Sequence, residues 1–110
     1  MNRAFDATST ALRYSDLPED QCPDGGLATG LAVLAQTDAL EVGVWEHPVG
    51  RSTDIETDEV FVVLSGTGRV VLEDGGILVL APGTVGVLEA GTRTTWEIDE
   101  PLRKVWLVER

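Results

Sequence analysis

The chain never stays apolar for long before a turn signal interrupts it, and this rhythm constrains its fold more than any other feature. From Leu31 onward, short runs rich in β-branched residues alternate with glycine, proline and aspartate at the close spacing of a sandwich or barrel, and no long helical period competes with them. The expected strands are Leu31 to Gln36, Leu40 to His47, Glu59 to Leu64, Arg69 to Glu73, Ile77 to Leu80, Val85 to Leu88, Thr92 to Ile98 and Leu102 to Val108. The alanine-rich first of these also reads as a helix. Ser65-Gly66-Thr67-Gly68 reads as the turn of a hairpin, Asp74-Gly75-Gly76 and Ala81-Pro82-Gly83 as further turns, and Asp99-Glu100-Pro101 as the break before the last strand. The fold class expected is all-β, an antiparallel jelly roll.

The first 26 residues are polar and are broken by Pro18, Pro23 and Gly25-Gly26, so residues 1–26 read as an arm or lead-in and residues 27–110 as the single domain. Nineteen acidic side chains against eight basic ones give a net charge of −11, which repels phosphate backbones and anionic lipid surfaces. Nucleic acid and membrane partners are therefore excluded. The chain has no apolar run of membrane-spanning length, and its first residues lack the apolar segment of a secretory signal, which leads to the expectation of a cytoplasmic protein.

Cys22 is the only cysteine and His47 the only histidine. An intrachain disulfide is impossible, and a cysteine nucleophile has one imidazole in the whole chain to activate it, so Cys22 reads as an ordinary loop residue. Ser65-Gly66-Thr67-Gly68 is no phosphate cradle, because no helix-forming segment follows it and the P-loop lysine is absent.

Three stretches, Gly43-Val44-Trp45-Glu46 leading to Gly50, Glu59 leading to Gly66, and Pro82-Gly83 leading to Gly91 and Trp96, together resemble the cupins, in particular their ureidoglycine aminohydrolase-like branch. The closing segment from Trp96 to Trp106, with its Arg103-Lys104 pair, is similar to the ending of that branch, and the likeness runs over about residues 41 to 108. The resemblance implies a double-stranded β-helix barrel. It also implies a divalent transition metal held by histidines and a carboxylate, chemistry suited to iron, manganese, nickel or zinc. Aligning Glu59 with the family's carboxylate places Thr53, Ile55 and Thr94 at the other three ligand positions, none of them a strong donor. No metal and no other cofactor is therefore expected, a divalent metal on unconventional donors being the alternative.

Asp54-Ile55-Glu56-Thr57-Asp58-Glu59 begins like a calcium loop, but its sixth and twelfth places hold Glu59 and Ser65 instead of glycine and glutamate. It reads as a solvated acidic loop, with an irregular oxygen-ligated cation site on Asp54, Glu56 or Glu59 as the rival. His47 reads as an edge or turn residue outside the ligand motifs. If Glu59 points inward as in related cupins, strand alternation puts Phe61 and Val63 on its face and Thr94 with Trp96 on theirs. With Trp45 these residues are the candidate ligand pocket, and Glu59 is the candidate catalytic residue. Filling of the barrel by the same aromatics is the competing reading.

The leading expectation is a small-molecule binding or accessory cupin with a degenerate metal site. An enzyme acting on a small nitrogenous or carbonyl compound through Glu59, and a structural or oligomerisation domain, are the alternatives. Apolar residues on both sides of Glu59 to Leu64 lead to the expectation of a homodimer.

Overall fold

Two long strands organise the molecule, and neither is what the turn signals predict. The structure, a computed structural model, describes residues 2–110. Its elements are β1 (Arg13–Asp16), a 3-10 turn (Glu19–Gln21), β2 (Ala28–Gln36), β3 (Leu40–His47), β4 (Gly50–Ile55), β5 (Glu59–Leu72), β6 (Ile77–Leu80), β7 (Val85–Leu88) and β8 (Arg93–Glu109). All pairings are antiparallel. The main path runs β1-β2-β3-β8-β5-β6, with β4 joined to β8 and β7 joined to β5.

The expected hairpin at Ser65-Gly66-Thr67-Gly68 does not form; the chain continues through it as the middle of β5. The expected break at Asp99-Glu100-Pro101 likewise lies inside β8. The two interruptions face each other. Thr67 pairs with Glu100, and the register between the strands shifts between Val63 and Gly68, so both strands bend together and pass from one sheet layer to the other. The Thr67 hydroxyl donates to Glu100 Oε1 at 2.9 Å across the bend. Gly66 makes the close approach possible: its φ is +89°, and a Cβ there would lie 2.1 Å from the Pro101 carbonyl oxygen. The apolar runs on either side of the glycines pair with one long partner, which is why a sequence resembling two hairpin arms forms one bent strand.

Three smaller differences bear on the site. The alanine-rich run is strand, lengthened to Ala28–Gln36 and held between β1 and β3. The lead-in contributes β1 and the 3-10 turn. Gly50–Ile55, outside the expected strands, is the strand β4, paired with β8 from Gly50↔Ile98 to Ile55↔Arg93.

The core lies between the two layers and is made of Phe61, Val63, Val70, Leu80, Leu88, Trp96, Ile98, Leu102 and Trp106. No helix among the described residues is long and apolar enough to cross a membrane.

Candidate functional site

β8 carries the most informative side chain of the interior. Its even-numbered residues Leu102, Lys104 and Trp106 are buried, so a lysine occupies a place in an otherwise apolar row. Lys104 lies opposite Trp45 of β3 and Val63 of β5. Its ammonium stands 4.6 Å from the ring centre of Trp45, 4.7 Å from that of Phe61 and 4.6 Å from that of Trp96. Glu59 Oε2 accepts from Nζ at 2.5 Å. The two side chains are 6% and 15% exposed, so this is a buried ion pair. Three ring faces supply attraction of up to about 2 kcal/mol each where water is excluded, and the carboxylate supplies the countercharge. The rings are fixed against one another, with Trp45 and Trp96 edge to face at 5.2 Å and Phe61 5.7 Å from Trp96.

Beside this cluster is a cavity of about 260 Å³ whose walls include Trp45, Trp96, Lys104, Glu59, Glu56 and Asp54. Leu17 and Gln21 of the lead-in complete its lip. An Asp24–Arg51 ion pair at 3.0 Å ties the end of the lead-in to β4.

The three carboxylates differ in what they hold. Glu59 is bound to Lys104. Glu56 Oε2 accepts from the Thr94 hydroxyl at 2.6 Å and from Trp96 Nε1 at 3.0 Å, which fixes the indole in place. Asp54 Oδ1 accepts only the backbone N–H of Ile55, at 2.8 Å. Partial loss of water at the cavity wall raises the Asp54 carboxyl above its ordinary range; neighbouring Glu56 adds to this, and Lys104 opposes it.

His47 is fully buried at the end of β3, not on an edge. Nδ1 lies 2.6 Å from the Pro48 carbonyl, so it carries the proton, and Nε2 accepts from the Ser52 hydroxyl at 2.8 Å. Burial lowers its pKa; the Pro48 carbonyl opposes that, and the nearby ammonium of Lys104 adds to it. Both ring nitrogens are used structurally.

Of the residues expected in the pocket, Trp45, Glu59 and Trp96 line the cavity. Phe61 lies against the ammonium, and Thr94 braces Glu56. Val63, 1% exposed, packs in the core and does not line the cavity. On β4, Ser52 pairs with Trp96 and Asp54 with Thr94, so Ser52 and Asp54 share one face, Ser52 buried and Asp54 at the exposed rim of the cavity. The expected ligand positions Thr53 and Ile55 fall on the alternate positions, Thr53 still bordering the cavity and Ile55 being exposed. Asp54 and Glu56, read as members of a solvated loop, border the interior. Sequence reasoning passed over Lys104 as a site residue, yet a charged residue within an alternating buried row was the available signal.

The metal that the fold implies does not fit these residues. Glu59 is committed to an ammonium, His47 to Pro48 and Ser52, and no group of three or more histidine, cysteine, aspartate or glutamate side chains converges among the described residues.

Eight antiparallel strands, two of them bent through both layers beside a cavity that mixes aromatic and charged walls, make this a cupin-type jelly roll. Residues 34–106 match the EutQ-like cupin domain, and the chain belongs to that family. The structure is similar to the EutQ protein of Clostridium difficile, with a TM-score of 0.65 and 15% identity over 74% of this chain and 61% of that one. The chain thus spans less than two thirds of that protein. It is also similar to ethanolamine utilization protein Q of Salmonella typhimurium, with a TM-score of 0.63 and 13% identity over 90% and 95% of the two chains. The polyketide cyclase RemF of Streptomyces resistomycificus gives a TM-score of 0.69 and 17% identity over 99% of this chain and 80% of that one. At these identities the likeness is one of fold. No match was found among curated proteins.

Proposed function

We propose that this cupin binds a small nitrogenous organic molecule in its barrel, with the Lys104 ammonium supplying the fixed positive charge that a metal ion supplies in metal-holding cupins. The observation that carries this reading is the placement of Lys104 Nζ against Glu59 and three aromatic rings at the wall of the cavity. A cavity of about 260 Å³ suits a small metabolite. Three carboxylates and one ammonium at its wall favour neutral or cationic ligands over anions. The name of the Salmonella relative, an ethanolamine utilization protein, and the resemblance to the ureidoglycine aminohydrolase-like branch both support a nitrogenous compound.

Thermal-shift screening of small amines, amides and ureido compounds in excess EDTA tests the proposal. The expected outcome is stabilisation by one chemical class that survives EDTA and is lost in Lys104→Met. Stabilisation abolished by EDTA and restored by a transition metal would refute it.

Pairing of two copies is a second proposal, favoured by Val60, Val85 and Val87, which lie exposed on β5 and the neighbouring β7. Light scattering at micromolar concentration should give the mass of a dimer, and a monomer would rule it out.

A further inference from the structure

The three carboxylates at the cavity are not equivalent, and the difference assigns a chemical role to one of them. Glu59 neutralises Lys104, and Glu56 holds Thr94 and Trp96. Asp54 alone of the three makes no hydrogen bond to another element, its one partner being the N–H of the adjacent Ile55, and it borders the cavity. An ammonium has three N–H donors, and the one hydrogen bond that Lys104 makes is to Glu59. Lys104 also borders the cavity, and its nitrogen sits in a low-dielectric setting of three rings, where a hydrogen bond to a developing oxyanion is strongest. One cavity therefore presents an unengaged base and a fixed cationic donor.

We infer that this is a proton-transfer site for small neutral or cationic carbonyl compounds, with Asp54 as general base and Lys104 as the electrophile at the carbonyl oxygen. The inference rests on the binding reading above and extends it to an activity. In the step, Asp54 Oδ2 takes a proton from the carbon next to the carbonyl. The C–H pair becomes the new C=C bond, the C=O π pair moves to oxygen, and the enolate is held by the N–H of Lys104, which keeps its proton. Once the Asp54 carboxyl has traded that proton for one from solvent, its return to the same carbon gives exchange, and return to the neighbouring carbon of an α-hydroxy carbonyl, after its hydroxyl proton shifts to the enolate oxygen, gives isomerisation. No oxidant, reductant or second substrate is consumed. Glu59 acts as a positioning residue that holds Lys104 in place.

The test is proton NMR of hydrogen–deuterium exchange in D₂O with EDTA, using hydroxyacetone as the neutral probe, aminoacetone as the cationic probe and pyruvate as the anionic control. The expected result is exchange of a neutral or cationic probe above the buffer rate, with pyruvate near the buffer rate. Asp54→Asn should lower the enzymatic exchange by about 10²–10⁴-fold, the usual contribution of a general base. Asp54 lies at an exposed strand position, so this variant tests the base without disturbing the core. Lys104→Met should also abolish exchange. Wild-type exchange no faster than buffer overturns the inference, as does exchange that persists in Asp54→Asn. Thermal shift with the same probes is read alongside, so stabilisation without exchange would remove the activity and leave the binding reading standing.

Discussion

The strands β5 and β8 line two ends of one interior, and the ends are built on opposite principles. Around the bend, Val70 of β5, Leu80 of β6, and Ile98 and Leu102 of β8 form a sealed apolar packing. At the other end the same strands place Glu59 and Lys104 beside a cavity, and β4 adds Asp54. The sealed end derives its stability from area removed from water, which requires only apolar residues of suitable volume. The open end depends on pairing, because each charge brought out of water there must meet an opposite charge, a ring face or a hydrogen-bond donor. The open end therefore contributes less to folding and more to specificity.

Substitutions separate the two ends in order of expected effect. Leu102→Ala, at a fully buried position in the sealed end, should cost about 2–5 kcal/mol in urea unfolding and leave the charge pairing of the cavity intact. Glu59→Ala leaves Lys104 buried without its carboxylate and should cost about 3 kcal/mol, whereas the double variant Glu59→Leu/Lys104→Met should recover most of that loss. If the double variant is no more stable than Glu59→Ala, the pair is not the organising feature of the open end.

A smaller effect is expected from pH. The folded chain holds His47 below its ordinary value of 6.5, so the unfolded chain takes up the proton first. The contribution of His47 is complete above that value and is lost as pH falls below it. Melting temperature should therefore decline on acidification from pH 7 toward 5, and His47→Gln should flatten that decline. Asp54 works in the other direction. Its raised carboxyl favours the protonated form in the folded chain, so its contribution is present below about 3.8 and is lost as pH rises above that value. Asp54→Asn should raise the melting temperature slightly at neutral pH, the signature of a group retained for something other than stability. A lowered melting temperature would mean that the carboxylate is a structural partner instead.

Much of this protein was legible in its residues. The runs from Leu40 to His47, Ile77 to Leu80 and Val85 to Leu88 are strands over those same residues, because alternation of apolar residues and the turn chemistry at their ends are local properties of the chain. Glu59 and Trp96 are brought to one cavity with Trp45. The bend at Gly66 reads as a hairpin turn and that at Pro101 as a break between strands, since a glycine permits positive φ in a bulge as readily as in a hairpin, and only the long partner strand decides between them. The phase of Gly50–Ile55 was open for the same reason. A short polar stretch carries no apolar stripe to set its face, and pairing with β8 put Asp54 opposite Thr94 at the rim of the cavity.

The sequence by itself thus determined an all-β chain of short apolar strands, because these follow from local backbone sterics and side-chain periodicity, while the inward place of Glu59 came from the resemblance to cupins. Only the tertiary structure decided that Lys104 is the cation at that carboxylate and that Asp54 is the base left unengaged. Those assignments depend on which residues from β3, β4, β5 and β8 meet across the barrel, and register between distant strands is set by the closing of the whole sheet, not by any one segment.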